Sequence, residues 1–354
     1  MPLDKVLQRA ASGWTSGSGP EADIVISTRV RLARNLAGVP FPHLLPVDGL
    51  NQVVSDVSRA VASINSGRGW GKLDTYPLDS MPALDRKVLV EKHLVSPQHI
   101  SEPWGRALVL KEDESASIMV NEEDHLRIQC LFPGLQLEEA WVAASGLDDS
   151  FEEHLPYAFS GSRGYLTCCP TNVGTGLRAS VMLHLPGLVM TDAAGRVLGA
   201  TNKLGLVVRG MYGEGTQASG NLFQISNQVT LGQSEEEVVR SLLGVAKQVI
   251  DQERHTREAL VKDAALQVSD RVGRAYGILT NAHVISSEEA IKLWSDVRLG
   301  VDLGLLPGVP TPVLNEMIVA TRASFLQRRA QMPLDPLQRD AVRADLIRKM
   351  LATS

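Results

Sequence analysis

Cysteine and long apolar runs are scarce in this chain of 354 residues. Its three cysteines cannot all pair, Cys168 and Cys169 are adjacent, and no Cys-x-x-Cys occurs, so we expect a reduced, cytoplasmic protein. No segment approaches the roughly 18 consecutive apolar residues of a membrane helix. The N-terminal residues carry charges where a signal peptide needs its apolar run. We therefore expect neither a membrane segment nor an export signal.

The signatures of the common phosphate-binding folds are also missing. The single Gly-Lys pair, Gly71–Lys72, has Ser66 where a P-loop needs its first glycine. No Gly-x-Gly-x-x-Gly follows a predicted strand, and neither His-Arg-Asp nor Asp-Phe-Gly occurs. The net charge of −5 argues against a sequence-independent nucleic-acid binder. If the protein handles phosphates, it must use another arrangement.

What is present is the composition of a chain with a sizeable buried core, since 44% of the residues are hydrophobic and 21% are charged. Between Ile24 and about Val229, short apolar runs alternate with Gly and Pro, which predicts a mostly antiparallel sheet. Apolar residues at helical spacing predict two helices, over 50–64 and around 135–144. The predicted strands are 107–110, 117–120, 126–132, 165–168, 180–185 and 204–208.

After residue 233 the pattern becomes helical. Ser234 forms a capping box with Glu237 ahead of apolar residues at helical spacing, and Ser286 repeats the signal with Glu289. The fold class is therefore predicted to be α+β, with a sheet flanked by helices and a small all-α domain after it. The predicted divisions are a flexible leader over 1–20, the α+β domain over 21–258 and the helical domain over 259–354.

Arginines offer a way to bind phosphates without a P-loop. In the segment Ser27–Asn35, strand alternation places Arg29 and Arg31 on one face and Val30 and Leu32 on the other. Two neighbouring guanidinium groups repel each other unless an anion or carboxylates lie between them. Taken alone, this segment is more typical of a solvated strand face with salt bridges.

Three further segments change that interpretation. They are Asn121-Glu-Glu-Asp-His-Leu-Arg127, Cys169-Pro-Thr-Asn-Val-Gly-Thr-Gly-Leu-Arg178-Ala-Ser180 and Arg209-Gly-Met-Tyr-Gly-Glu214. With the first arginine segment, and in the same order, they resemble the catalytic domain of the phosphagen (guanidino) kinase family over roughly residues 21–255. The resemblance implies the phosphagen-kinase fold, with ATP and Mg²⁺ as cofactors and the Mg²⁺ carried on ATP without a protein ligand. It also implies that arginines clamp the phosphates.

The resemblance assigns nucleotide contacts residue by residue. The phosphate contacts are Arg29, Arg31, Arg127, Arg178 and Arg209, and His93 resembles the nucleotide-side histidine of the family. Planar guanidinium forks suit phosphate oxygens, and phosphoryl transfer consists mostly of positioning and charge neutralisation. The remaining implied contacts are Ser27, Thr28, Val30, Ala179, Ser180, Val181, Met182, Gly210, Met211, Tyr212, Gly213 and Glu214.

Glu123, Glu214 and Cys169 fall where the family holds the acceptor guanidinium. A guanidinium, whose pKa lies far above neutral pH, is a poor nucleophile while it is charged. Two carboxylates can fix its plane, aim one nitrogen at the γ-phosphate and take the proton as the P–N bond forms, with the Cys169 thiolate beside them. Without the resemblance, the acidic triplet 122–124 is more typical of a solvated turn, and Cys168 is interpreted as a small strand residue.

The remaining sequence narrows the resemblance to the bacterial protein-arginine kinases of this family. Only 26 residues precede Ser27, where the metabolite kinases carry an N-terminal helical domain, and the extra helices lie at the C-terminus. The second signature, Arg-Asp-x-x-Arg-Ala, spans 339–344, and without the resemblance it is typical of a salt-bridged helix face. With the resemblance, it implies an allosteric phosphoarginine pocket formed by Arg339, Asp340, Ala341, Val342, Arg343 and Ala344.

The function implied is that of an ATP-dependent kinase for arginine side chains of proteins, cytoplasmic and homodimeric. The resemblance further implies a bacterial stress response in which phosphoarginine marks proteins for a Clp-type protease. It implies a heat-shock repressor among the substrates and a small zinc-binding activator protein, with no direct nucleic-acid or membrane contact. Two alternatives stay open: a kinase for free arginine or a related guanidino metabolite, and a non-catalytic phosphoarginine-binding adaptor. The acceptor-side carboxylates argue against the adaptor, because binding alone does not need them.

Overall fold

The computed structural model describes residues 3–67, 69–202, 205–210 and 219–352. Within these ranges an eight-stranded sheet, in which all neighbours pair antiparallel, has the order β2-β3-β4-β5-β1-β8-β10-β9, and β6 and β7 form a separate ribbon. The strands are β1 (Val25–Arg34), β2 (Leu73–Pro77), β3 (Ala107–Lys111), β4 (Ala116–Val120), β5 (Leu126–Pro133), β6 (Phe159–Ser160), β7 (Gly164–Tyr165), β8 (Leu177–His184), β9 (Leu206–Gly210) and β10 (Leu222–Asn227).

Helices cover both faces of the sheet. They are α1 (Leu3–Gln8), α2 (Val47–Ser66), α3 (Ala83–Glu91), α4 (Pro97–Ser101), α5 (Leu137–Glu152), α6 (Pro186–Met190), α7 (Ala194–Asn202), α8 (Glu235–Asp263), α9 (Ala265–Asn281), α10 (Ser287–Asp302), α11 (Thr311–Ala320), α12 (Ala323–Ala330) and α13 (Pro336–Ala352). The α+β class is confirmed. None of these described helices is long and apolar enough to cross a bilayer.

The central strand β1 shows how the sheet separates two environments. Val30 and Leu32 are fully buried in a first core that includes apolar residues of α2, α5 and α8. Arg29 and Arg31 are half-buried on the opposite face, as the alternation predicts. A second core on that face joins sheet residues such as Met119 to the helices after residue 264. The C-terminal helices therefore pack on the same side of the sheet as the arginines.

The local predictions are mostly confirmed. The predicted helix 50–64 lies within α2, 135–144 overlaps α5, and Ser234 caps α8 through a reciprocal pair of hydrogen bonds with Glu237. Of the predicted strand 165–168, only its first residue is in β7. The amide of Cys168 donates instead to the Asp124 carboxylate, 2.7 Å away, so this backbone is held by a side chain and not by a neighbouring strand.

The first residues differ from the flexible leader predicted over 1–20. Val6 and Trp14 are almost fully buried in the second core. Lys92 Nζ donates to the main-chain oxygen atoms of Val6 and Arg9, each 2.8 Å away. Serine, glycine and proline between residues 10 and 22 suggested mobility, but apolar burial and these hydrogen bonds hold the segment against the sheet.

Helix α8 runs through the predicted division between residues 258 and 259. Arg257, near this point, donates to the main-chain oxygen atoms of Asp23 and His184 and forms an ion pair with Glu253 at 2.7 Å. These contacts attach the helix to the sheet immediately before the helical region begins. The division into two domains stays a prediction, and the packing is continuous across it.

Candidate active site

An open cleft of about 540 Å³ lies on the arginine-bearing face of the sheet. Strands β1, β5, β9 and β10 contribute to it, together with the segment after α3 and the turn after β4. Six residues singled out from the sequence line this cleft: Arg29, Arg31, His93, Glu123, Arg127 and Arg209.

Strand register brings the arginines together. Arg31 on β1 lies opposite Arg178 on β8, and Arg209 on β9 lies opposite Gln224 on β10. Gln224 also accepts a hydrogen bond from Nη2 of Arg29 at 3.2 Å. Arg178 lies beside the cleft, where it donates to the Asn227 main chain and the Asn172 side chain, both at 3.1 Å. Residues from four strands therefore meet at one surface.

The arginine cluster is electrostatically unfavourable without an anion. Burial, together with the charge of Arg127, lowers the pKa of Arg29 to about 10. Burial also lowers the pKa of Arg31, and the charges of Arg29, Arg127 and Arg178 lower it further. Within the described part of the chain, Nε of Arg31 has no hydrogen-bond partner. A polyanion would relieve the repulsion and supply hydrogen-bond acceptors.

Arg127 is held by a carboxylate that the sequence analysis did not single out. Its Nη1 lies 2.7 Å from Oε2 of Glu122, which is buried and also accepts a hydrogen bond from the Ser96 hydroxyl. Burial alone would raise the pKa of Glu122, but Arg127 and Ser96 together lower it to about 2. Glu122 is therefore charged at neutral pH and orients Arg127 towards the cleft.

His93 occupies an unusual backbone conformation at the end of α3. Its φ of 61° lies in the left-handed region, where helix termini usually have glycine. The Trp14 ring meets the imidazole edge-on, with the ring centroids 5.2 Å apart, and Gln129 donates to the His93 main-chain oxygen at 2.8 Å. Burial, with the charges of Arg29 and Arg322, lowers the pKa of His93 to about 3, so the ring is neutral at neutral pH.

The other residues that the resemblance assigns to the nucleotide lie in several different environments. Val30, Ala179 and Val181 belong to the first core behind the sheet and do not face the cleft. Ser27, Ser180 and Met182 line a small cavity beside Trp14 and His93. The Thr28 hydroxyl is buried and donates to the Gly134 main chain at 2.7 Å.

The last predicted segment is only partly described. Gly210 ends β9 one residue after Arg209. Met211, Tyr212, Gly213 and Glu214 lie outside the described residues, so the second predicted acceptor carboxylate, that of Glu214, is not placed.

The other acceptor-side residues do meet. Glu123 is exposed at the cleft, and the Cys169 side chain lies close enough to its carboxylate to act against the rise in its pKa. The Cys169 sulfur also lies 3.1 Å from Oγ1 of Thr171. Partial burial and the like charges of Asp124 and Glu122 raise the pKa of Glu123, which suits a group that receives a proton.

The acidic triplet is not a solvated turn. Asp124 is buried and accepts hydrogen bonds from the Asn35 side chain at 2.6 Å and from the Cys168 amide. With Glu122 paired inside the protein, only Glu123 faces solvent. Cys168 lies in the adjoining loop, with its sulfur 3.4 Å from Nδ1 of His43.

The C-terminal signature lies on α13, away from the cleft. Arg343 is only 2% exposed, and it donates to the main chains of Thr321 and Ile285, each at 2.8 Å, and pairs with Asp340. Arg339 is half-buried and donates to the Leu334 main chain at 3.3 Å. Ala344 is buried in the second core, while Ala341 and Val342 are half-buried. The predicted set therefore combines an internal anchor, Arg343, with two groups that solvent can reach.

Sequence reasoning missed Glu122, Gln224 and Trp14 as parts of the site. For Glu122 the sequence held a signal, because the predicted strands 117–120 and 126–132 are joined by a short connection, and their pairing brings residues 122 and 127 together. Gln224 lines the cleft and Trp14 packs against His93 beside it. Both come from elements far away in the chain, and no local pattern marks them.

Two family models match the chain. The model described as "ATP:guanido phosphotransferase, C-terminal catalytic domain" matches residues 52–256. The model described as "Protein-arginine kinase McsB C-terminal domain" matches residues 265–354.

Relatives of known name cover almost the whole chain. A protein-arginine kinase of Moorella thermoacetica is 53% identical over 341 residues, which are 96% of this chain and 97% of the relative. One of Pelotomaculum thermopropionicum is 51% identical over 99% of both chains.

Solved structures are similar over a smaller part. Lombricine kinase superimposes with a TM-score of 0.60 at 26% identity, over 69% of this chain and 70% of that one. The duplicated taurocyamine kinase of Schistosoma mansoni gives a TM-score of 0.61 at 28% identity, over 67% of this chain and 34% of that one.

Proposed function

This chain belongs to the protein-arginine kinases of the ATP:guanido phosphotransferase family, and we propose that its cleft transfers the γ-phosphate of ATP to arginine side chains of proteins. The observation that carries the proposal is that a cluster of arginines and the Glu123 carboxylate line one cleft. The arginines alone would suit any anion-binding protein. A carboxylate that lines the cleft, with a thiol close to it, suits a guanidinium acceptor.

On the donor side, the arginines hold the phosphates. Arg29, Arg31, Arg127 and Arg209 bind the phosphate oxygens, and Arg178 adds positive charge from beside the cleft. Mg²⁺ bound to ATP neutralises further phosphate charge, and we assign it no protein ligand. The lowered pKa values of Arg29 and Arg31 support this arrangement, because a polyanion stabilises both charges.

On the acceptor side, Glu123 and Glu214 fix the plane of the arginine guanidinium, and Cys169 lies against it. One guanidinium nitrogen attacks the γ-phosphorus, the bond from phosphorus to the bridging oxygen breaks, and ADP leaves. The proton from the attacking nitrogen passes to a carboxylate. The contact between Glu123 and Cys169 supports this division of roles.

We propose that Arg339 and Asp340 contact phosphoarginine in an allosteric pocket of the 259–354 region, and that Arg343 orients Asp340. The ion pair between Arg343 and Asp340 and their different exposures support these separate roles. Ala341, Val342 and Ala344 complete the helix face on which these groups stand.

The remaining proposals rest on the family resemblance. The protein is proposed to be a homodimer in the cytoplasm. Its proposed partners are a small zinc-binding activator and a Clp-type protease that receives the phosphorylated proteins in a stress response. The proposed substrates are proteins with exposed arginines, and a heat-shock repressor is one of them.

A transfer assay tests the main proposal against its alternatives. The protein is incubated with labelled ATP and Mg²⁺, with free arginine in one sample and an arginine-rich protein in another. We expect label in the protein that is lost in acid, because a P–N bond hydrolyses where a serine phosphate survives. Label only in free arginine would support a metabolite kinase, and no transfer to either would support the adaptor.

Glu123→Gln and Glu122→Gln form a matched pair of neighbouring variants. We expect Glu123→Gln to lower kcat by about 10²–10⁴-fold with ATP affinity retained, because the residue acts on the acceptor. Glu122→Gln should weaken ATP binding, because Arg127 loses its charged partner. Calorimetry with ATP and initial rates measure both, and normal turnover in Glu123→Gln would remove the residue from the mechanism.

A further inference from the structure

Three consecutive residues at the end of α3 contact three different parts of the molecule. Glu91 contacts α12 of the helical region, Lys92 contacts the N-terminal segment, and His93 lines the cleft. We propose that Glu91 is a positioning residue that sets His93 in the nucleotide cleft, and that the N-terminus of α12 holds Glu91 in place. The inference rests on the proposed function only in taking the cleft to bind ATP.

Both carboxylate oxygens of Glu91 are engaged by one helix terminus. Oε1 accepts the amide hydrogen of Ser324 and Oε2 that of Phe325, each at 2.8 Å. These amides lie in the first turn of α12, where a helix has no internal acceptors and carries partial positive charge. The carboxylate therefore caps α12 from another element, and two bonds fix its orientation.

His93 needs such support because its backbone is strained. A left-handed φ costs free energy for a residue with a Cβ, and it persists only where the surroundings over-determine it. The turn is closed by hydrogen bonds from the His93 amide to Val90 and from the Leu94 amide to Leu89. Glu91 lies inside this turn, so fixing its side chain fixes the geometry that precedes the histidine.

The same contacts continue to the C-terminal signature. Nε of Arg343 donates to the main-chain oxygen of Thr321, which follows the end of α11, and α12 begins two residues later. Arg343, the start of α12, Glu91 and His93 thus form a continuous series of contacts. A structural change at the C-terminal signature can reach the cleft through this series of contacts.

Variants on both sides of the contact test the proposal in the full-length protein. Glu91→Gln removes the charge, and Ser324→Pro removes one donor at a helix position that tolerates proline. Asp85→Asn is the control, because Asp85 lies at the other end of α3 and joins the same two helices through Arg328 at 2.7 Å. We expect both test variants to raise KM for ATP on the order of threefold to tenfold, with a smaller change in kcat and no change in Asp85→Asn.

A double-mutant cycle separates positioning from general packing. If Glu91 acts through His93, Glu91→Gln adds little to the KM of His93→Ala; independent effects would multiply. The proposal would be overturned if the effects of Glu91→Gln and His93→Ala on KM multiplied in the double variant. An equal rise in KM in Asp85→Asn, or an unchanged KM in Glu91→Gln, would also overturn it. If Glu91→Gln does not fold, Ser324→Pro decides by the same criteria. Binding of ATP by calorimetry tests the proposal even if wild type transfers no phosphate, a result that would contradict only the proposed function.

Discussion

Single side chains on β1 show how the same residue type serves binding or stability. Arg31 is crowded by other guanidinium groups, and its pKa is lowered by burial and by their charges. Arg34, three residues later, is 1% exposed and forms an ion pair with Asp148 at 2.6 Å. Its guanidinium also lies 3.5 Å from the Tyr165 ring centroid. Only the environment, and not the residue type, distinguishes the two arginines.

Substituting each arginine with methionine should separate these roles. We expect Arg31→Met to lower kcat/KM at least about 100-fold, while the free energy of unfolding is unchanged or rises, because a repelled charge is removed. Arg34→Met should destabilise the protein by about 3–5 kcal/mol, since Asp148 is left buried without its partner. Urea unfolding and initial rates measure both quantities. A loss of stability in Arg31→Met would show that the cluster is not under electrostatic strain.

A buried histidine makes stability depend on pH. Burial lowers the pKa of His99 from 6.5 to about 4, and its Nε2 lies 3.0 Å from the Ala107 main-chain oxygen. Below pH 6.5 the His99 ring binds a proton in the unfolded chain, whereas in the folded protein it binds one only near pH 4. Stability is therefore complete above pH 6.5 and falls as the pH drops from there towards 4.

His99→Gln should remove this part of the pH dependence. Between pH 7.5 and 5.0, wild type should lose about 2 kcal/mol more than His99→Gln, from about 1.4 kcal/mol per pH unit below 6.5. Urea midpoints at the two pH values measure the difference. Identical losses would show that His99 can be protonated in the folded protein.

At the scale of elements, α13 carries both a buried anchor, Arg343, and a half-buried pair, Arg339 and Asp340. Arg343 joins α13 to the end of α11 and to the segment before α10, through two main-chain carbonyls. Arg339 and Asp340 on the same helix remain half-buried. Substitutions can therefore separate the role of Arg343 in stability from the proposed role of Arg339 and Asp340 in binding phosphoarginine.

We expect Arg339→Ala to abolish binding of a phosphoarginine peptide with a change in stability below about 0.5 kcal/mol. Arg343→Met should instead destabilise the protein by about 3 kcal/mol or more, because Asp340 and two buried carbonyls lose their donor. Calorimetry with the peptide and thermal unfolding test the two variants. Equal peptide affinity in wild type and Arg339→Ala would leave only a charged helix face.

At the scale of the whole molecule, the two predicted domains share one core. Trp294, Leu314 and Ile347 from the C-terminal helices are buried in the same cluster as Leu108 and Met119 of the sheet. The face of the sheet beside the cleft therefore depends on the helical region for its burial.

A fragment of residues 1–258 should consequently be unstable. We expect it to bind a hydrophobic dye and to unfold without a sharp transition, whereas the full chain should unfold in a single cooperative step. Calorimetry and dye fluorescence compare the two proteins. A fragment with a sharp transition would show that residue 258 separates independent folding units.

Local patterns in the sequence were enough for the features that neighbouring residues control. Strand alternation placed Arg29 and Arg31 on one face, and the capping box at Ser234 marked the start of α8. The family resemblance added Glu123 and Cys169, which the structure brings into contact. The strand-face and helix-start predictions succeeded because backbone periodicity and helix capping depend on residues a few positions apart.

Contacts between distant segments decided the rest. Glu122 faces inward and Glu123 outward because Ser96 and Arg127 bind Glu122. The N-terminal segment is packed because Lys92, about 80 positions later, binds its carbonyls. Arg343 is internal because Thr321 and Ile285 surround its guanidinium. Whether a charged side chain is buried depends on which distant groups can pair with it, and only the tertiary structure supplies those partners.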